Sequence, residues 1–304
     1  MLSLINKDRQ AAGLLPVILG TNNASQKHAE EMLANGYLSH WGLDGMKPYI
    51  RYTLAGGYNY EAENISAPDS FINENGLYAK KDILQRLGEV EQGLMDSPGH
   101  KKNILNKWHK KVNIGIAYNS VTQAVVQQFE GDYIKFIQTP SLKNGVLLTS
   151  GETSVGFVID GIQVWYDQAP HPLTLGQLGQ TYAYNAGKPV TFLRPAASPS
   201  YYYSENQAQY SWETQGADPY SVSPNTDPPV SIPFSIKLIY PVTINSATVK
   251  WIDARRWSIV GKSFSIEADL NSIIAQYGKG VYTVRIWAKS GSEDVEVTNY
   301  SIFI

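Results

Sequence analysis

The sequence predicts an α+β protein whose first part mixes helices with a strand pair and whose remainder is rich in β-strand. Three observations carry this. Up to about residue 105, apolar residues recur with helical spacing, interrupted by one long irregular stretch. Residues 112–118 and 124–129 then read as two strands joined by a turn at Asn119 and Ser120, so helices are followed by an antiparallel hairpin, a layered α+β pattern. From about Tyr133, short β-rich runs separated by Pro and Gly clusters take over.

In order, Leu2, Ile5, Arg9 and Ala12 share a helical face, and Gly13 is placed to end that helix before Pro16. A second helix starts among Thr21, Asn22 and Asn23, runs to Asn35 and Gly36, and turns Ala24, His28, Met32 and Leu33 inward. Residues 37–66 are irregular apart from a short helix from Pro48 to Leu54. A loop this long in a compact domain, carrying His40, Trp41, Arg51, Tyr58, Tyr60, Glu61 and Glu63, has the make-up of a site. Ile83, Leu84, Leu87, Val90, Glu91 and Leu94 mark the next helix. Pro98 suits the first position of the one after it, with Ser97 as N-cap.

In the second half, 155–159 and 162–166 read as strands and 173–180 as one helical turn. Residues 215–233 have linker composition, with Pro219, Pro224, Pro228, Pro229 and Pro233. The runs 235–240, 247–251, 263–268 and 281–287 alternate with period two and fit an immunoglobulin-like sandwich. A chain of 304 residues exceeds one core. The expected division is 1–133 as a mixed domain, 134–229 as a β-rich region with a Pro-rich linker, and 230–304 as the sandwich.

A net charge of −2 argues against an electrostatic grip on nucleic acid, and no apolar run reaches the length of a transmembrane segment. Without Cys there is neither a disulfide framework nor a thiolate metal site. Met1 leads directly into a helix, as in a cytosolic protein or in a mature form whose leader has been removed.

Chemistry converges on His40, Glu63 and His100, which lie in three separate segments. Two imidazoles plus solvent make an open site for a divalent metal such as Zn²⁺. A carboxylate at Glu63 has two readings: it fixes the tautomer of one histidine, or it acts as general base toward metal-bound water. Trp41, Tyr58 and Tyr60 are candidate ligand-binding rings, with loop anchoring as their plain alternative. His28 with Glu31 and Met32 lacks the second histidine of a zincin helix, so it reads as a helix histidine bonded to a backbone carbonyl. Ser39 is a weak nucleophile candidate because adjacent residues seldom point the same way. The rings at Tyr201, Tyr202, Tyr203, Tyr210 and Trp212 suit carbohydrate contact or ordinary packing. His109 and His171 receive no role.

Taken together, the ordered pieces Asn6, Arg9, Gly13-Leu14, His28 to Met32, Ser39-His40, Asp44-Gly45, Arg51, Gly57-Tyr58, Glu63-Asn64-Ile65, Ser97 to His100 and Asn103-Ile104-Leu105 resemble the CAP superfamily. This is the family of cysteine-rich secretory proteins, antigen 5 and pathogenesis-related proteins, and the likeness is to its bacterial, cysteine-free branch. The resemblance covers residues 1–133 and implies an α-β-α sandwich with a cleft holding two histidines and acidic partners. It assigns the histidines to His40 and His100 and one acid to Glu63. The family's second acid has no clear match, leaving Glu91 and Asp96 as candidates. It further implies an extracellular, secreted protein with a cleft that binds a divalent metal and a lipid, peptide, sugar or cell-surface glycan ligand; to this the expected reading adds a β-rich C-terminal interaction module. The alternatives are a metal-dependent hydrolase using Glu63 as base, and a structural adhesin with a vestigial cleft.

Overall fold

The sheet in the N-terminal part has two faces of different chemistry. A computed structural model describes residues 1–66, 83–119, 122–181, 183–196, 207–215, 218–221, 223–224 and 242–304. In the N-terminal part these form α1 (Leu2–Ala11), β1 (Ile18–Leu19), α2 (Ala24–Asn35), α3 (Pro48–Leu54), β2 (Glu61–Ser66), α4 (Ile83–Asp96), α5 (Pro98–Ile104), β3 (Lys111–Tyr118) and β4 (Gln123–Glu130). The sheet order is β1-β3-β4-β2, with β1 parallel to β3 and the other pairs antiparallel.

Cross-strand register sorts the side chains by face. Val112, Ile114, Ile116, Val125 and Phe129 pack with Ile5 of α1, Leu87, Val90 and Leu94 of α4, and Ile104 of α5. On the opposite face, Ile65, Val126, Ala124 and Ala117 meet Ala29 and Met32 of α2. Gly115 permits this close approach, since a Cβ there would lie 2.1 Å from the Ser25 carbonyl oxygen. Further along that same face the residues turn polar: Glu61 stands opposite Glu130, and Glu63 opposite Gln128, which in turn faces Asn113. Helices on both faces of one sheet make the α-β-α arrangement. Leu84, expected on the buried stripe of α4, is 71% exposed, because the inward face is carried by Leu87, Val90, Glu91 and Leu94.

The remainder comprises β5 (Ile134–Lys143), β6 (Val146–Thr153), β7 (Phe157–Gln168), α6 (Leu175–Leu178), β8 (Lys188–Arg194), β9 (Gln207–Gln215), β10 (Val242–Asp253), β11 (Arg256–Val260), β12 (Ser263–Asp269), α7 (Asn271–Tyr277), β13 (Gly280–Ser290) and β14 (Glu293–Phe303). Two sheets, ordered β14-β13-β7-β8-β10-β9 and β11-β12-β6-β5, enclose one core that includes Leu147, Ile162, Val164, Phe264, Ile266, Tyr282, Val284 and Val297. Both sheets run across the expected division at 229/230. β7 pairs with β13 and β6 with β12, so strands from both sides of that boundary share both sheets. The larger sheet is mixed, with β8 parallel to β10, whereas the immunoglobulin-like expectation was antiparallel throughout. Residues 155–159 and 162–166 belong largely to one strand, β7, whose register shifts opposite Trp287 and Ala288 and passes over Asp160; the bulge absorbs the residue that read as a break. The strand expected at 235–240, the rings at Tyr201 to Tyr203 and most of 215–233 lie outside the described residues.

The two parts meet along a polar seam. Thr298 Oγ1 donates to the Tyr58 carbonyl at 2.5 Å, Asn299 Nδ2 to the Glu61 carbonyl at 3.2 Å, and Tyr60 N to the Val297 carbonyl at 3.0 Å. Lys47, buried at the N-terminus of α3, places Nζ 2.5 Å from Asp167 Oδ1 of β7, and Tyr49 donates its hydroxyl to Asp167 Oδ2 at 2.6 Å. A buried ammonium is tolerated here because carboxylate, amide and aromatic faces surround it.

Removing one partner of such a pair strands the other charge. Asp167→Asn is expected to lower unfolding free energy by about 3 kcal/mol in urea titrations; a loss below about 1 kcal/mol would show that the seam does not depend on this pair.

Candidate functional site

Glu63 lies on the polar face of β2, 4% exposed, and is an ionised group only because charge is supplied beside it. Arg51, one turn before the end of α3, brings Nη2 to 3.2 and 3.1 Å of the two Glu63 oxygens. Its Nη1 donates to the carbonyls of His40 at 2.9 Å and Met46 at 2.7 Å, fixing the loop that carries His40. Burial acts to raise the Glu63 carboxyl, but Arg51, the His40 hydrogen bond and the charges of His28 and His40 outweigh it and hold the group at about 2.

His40 Nδ1 stands 3.0 Å from Glu63 Oε1. An ionised carboxylate only accepts, so the ring nitrogen facing it carries the hydrogen, and in the neutral imidazole Nε2 keeps its lone pair. The His40 side chain is 13% exposed, so that lone pair sits at the edge of solvent rather than in a sealed core.

His100 lies on α5, which starts with Pro98 at its first turn and Ser97 as N-cap, although the Ser97 side chain makes no capping bond. The helix is tied to β2 by its backbone: Asn64 Nδ2 donates to the His100 carbonyl at 3.1 Å, and Asn103 Nδ2 to Asn64 Oδ1 at 2.9 Å. Arg9, buried under α1, secures its far end by donating to the carbonyls of Ile104 at 2.7 Å and Asn106 at 2.9 Å. The His100 ring is half-buried and has no hydrogen-bond partner among the described residues. Burial, and then the charge of nearby His40, lower it to about 4, so it is neutral at physiological pH.

His40 and Glu63 thus meet directly, with Glu63 placed to fix the His40 tautomer, and the charge of His40 acts on His100. The geometry sides with the tautomer-fixing reading over the general-base one. A carboxylate held at about 2, with both oxygens engaged, has little tendency to take a proton near neutral pH. Neither proposed second acid joins them. Glu91 faces the other side of the sheet, accepts from Gln127 Nε2 at 2.5 Å and is raised to about 7 by burial. Asp96 accepts from Gln92 at 2.9 Å on the exposed side of α4. The carboxyl that does lie beside Glu63 is Glu61, 2% exposed, neither of whose oxygens has a hydrogen-bond partner. Burial first, and then the Glu63 charge, push it well above the usual carboxylate range. The period-two spacing of Glu61 and Glu63 was the available signal, since it puts both on one face of a strand.

The three candidate rings each pack against other parts of the chain. Trp41 is buried, donating Nε1 to the Ala183 carbonyl at 3.1 Å. Tyr58 packs edge-on against Phe136 of β5, and Tyr60 stacks on His109. All three anchor the loop or the seam. Ser39 is fully buried and donates to the Thr181 carbonyl at 2.6 Å, which removes it as a nucleophile. His28 is buried and neutral, at about 3 through burial and the Arg51 charge, and so donates Nε2–H to the Ser39 carbonyl at 2.9 Å.

As for a metal, the described residues contain no group of three or more His, Asp or Glu able to hold one. The donors at this site without a hydrogen-bond partner among the described residues are His40 Nε2 and the His100 imidazole, with Glu63 behind His40 at Nδ1.

Residues 2–129 match the family model of the cysteine-rich secretory protein (CAP) family. Among solved structures, an extracellular protein containing an SCP domain from Bacillus anthracis str. Ames is similar at 24% identity and a TM-score of 0.32, covering 43% of this chain. An outer surface protein from Borrelia burgdorferi is similar at 20% identity and a TM-score of 0.33, covering 43% of this chain and 88% of its own. The chain spans 39% of the length of the Bacillus anthracis protein. No curated protein matches it.

The folded Glu63 carboxyl protonates at about 2, against an ordinary value of 4.5, so its stabilisation is present above 4.5 and disappears as pH falls from there toward 2. That gap corresponds to about 3 kcal/mol. The stability difference between wild type and Glu63→Gln should therefore narrow by about this amount between about pH 6 and pH 2 in denaturant titrations. A difference that does not change with pH would contradict the buried ion pair.

Proposed function

We propose that residues 2–129, which match the model of the cysteine-rich secretory protein family, form an extracellular ligand-binding module whose cleft presents the imidazoles of His40 and His100 and takes up a divalent cation such as Zn²⁺ between them. The observation that carries this reading is the chain from Arg51 to Glu63 to His40 Nδ1, which turns Nε2 away from the carboxylate, with the neutral, unpartnered His100 imidazole within reach of the His40 charge. Two protein ligands make a weak site that solvent and a bound molecule complete. The cation would supply Lewis-acid polarisation of an oxygen on that molecule. The protein's own residues bind and orient it: Glu63 fixes the imidazole tautomer, Arg51 keeps Glu63 ionised, and Asn64 holds α5 against β2.

The extracellular assignment follows the family's secretory character, and no helix among the described residues is long and apolar enough to cross a membrane. Binding is favoured over hydrolysis because the carboxylate nearest His40 is committed to ion pairing and has little basicity. Lipid, peptide, sugar and cell-surface glycan remain the ligand classes within this reading, since an open metal site accepts an oxygen from any of them.

Calorimetric titration with zinc ions is expected to show weak binding by the wild type, loss of binding in His40→Ala and His100→Ala, and a reduction of about tenfold in Glu63→Gln, which removes only the support behind a ligand. Absence of binding by the wild type, or undiminished binding by His100→Ala, would contradict the proposal.

A further inference from the structure

The segment joining β7 to β8 leaves the sandwich and crosses the loop that carries His40. It is fastened there by four hydrogen bonds. Leu173 N donates to the Leu43 carbonyl at 2.8 Å, Ser39 Oγ to the Thr181 carbonyl at 2.6 Å, Trp41 Nε1 to the Ala183 carbonyl at 3.1 Å, and Lys47 Nζ to Asn185 Oδ1 at 2.7 Å. Leu173 and Leu178 add apolar anchorage by entering the cluster formed by Met32 and Trp41. The capping box between Thr174 and Gln177 gives the short helix α6 between them a defined start.

Tyr184 stands between the last two of these anchors. Its ring meets the His40 imidazole edge to face, with centroids 5.1 Å apart and planes at 62°, and reaches Tyr49 at 6.0 Å on its other side. The hydroxyl makes no hydrogen bond among the described residues, although the charges of Glu61, Glu63 and Arg51 all act on it. The contact with His40 therefore belongs to the ring rather than to the phenolic oxygen. His40 is gripped from two directions: Glu63 holds Nδ1, and Tyr184 bounds the ring.

We infer that Tyr184 is a positioning residue of the His40 cleft supplied by the β-sandwich, so that the N-terminal site is built jointly by both parts of the chain. This rests on the reading of His40 and His100 as a cation site, which it deepens. An imidazole bonded at one nitrogen alone keeps freedom to tilt about that bond, and edge-to-face packing removes it. A ligand nitrogen that is held in place binds metal more tightly than one that must be ordered on binding.

The test uses the full chain with zinc ions alone as probe, together with the ring C–H signals of His40 in NMR spectra recorded without metal. Tyr184→Ala is expected to weaken zinc binding by about tenfold and to move the His40 signals, whereas Tyr184→Phe retains both because it keeps the ring. Tyr184→Leu, which preserves bulk without aromatic edge contact, replaces the alanine variant if circular dichroism shows that variant to be unfolded. Wild-type zinc affinity and unmoved His40 signals in the variant lacking the ring would overturn the inference while leaving the cation site intact, provided His40→Ala loses binding. If the wild type binds no zinc, the cation reading falls instead, and the NMR signals decide Tyr184 by themselves: moved without the ring and retained in Tyr184→Phe they support it, and unmoved they overturn it.

Discussion

A carboxylate withdrawn from solvent has to be answered by positive charge on the spot, and the guanidinium of Arg51 is what answers Glu63. The constraint reaches well beyond the pair. Arg51 is fixed in α3, Glu63 in β2, and Nη1 of the guanidinium donates to the His40 and Met46 carbonyls. One side chain therefore sets the distance between a helix, a strand and a loop, and with it the direction of the His40 ring. Without that pair, the polar end of the sheet face would hold Glu61, Glu63 and Glu130 close together with nothing to keep Glu63 ionised.

The β-sandwich is part of this arrangement rather than a tail attached to it. β14 supplies carbonyl and side-chain partners to the strand that carries Glu63, and β7 supplies the carboxylate that neutralises Lys47. The segment between β7 and β8 then closes over the loop around His40. Contacts of this kind are polar and individually modest, yet each leaves a buried donor or charge unsatisfied if the parts separate, so together they hold the two parts in one arrangement.

Much of the N-terminal architecture was legible because its signals are local. Pro48 and Pro98 marked helix starts, Gly13 and Gly36 marked helix ends, and the alternation at 112–118 marked a strand that the sheet confirms. His40, Glu63 and His100 stood out by residue type and by the ordered segments that carry them. What those residues do was less legible, because the role of Glu63 depends on Arg51 and on burial, which sequence spacing does not display. Glu61 was visible only through period-two spacing, and Tyr184 left no local signal at all, since its partner His40 lies far away along the chain. The C-terminal half was misdivided for the same reason: alternation reveals strands, but pairing between β7 and β13 or β6 and β12 is a property of the folded chain.

The central claim is that His40 carries its proton on Nδ1, toward Glu63, and offers Nε2 to the cleft. Nitrogen-15 NMR of the ring at neutral pH measures this directly, because protonated and bare imidazole nitrogens have well-separated signals. The account predicts a protonated Nδ1 and an unprotonated Nε2 for His40. A proton found on Nε2, with Nδ1 bare beside the Glu63 carboxylate, would contradict it.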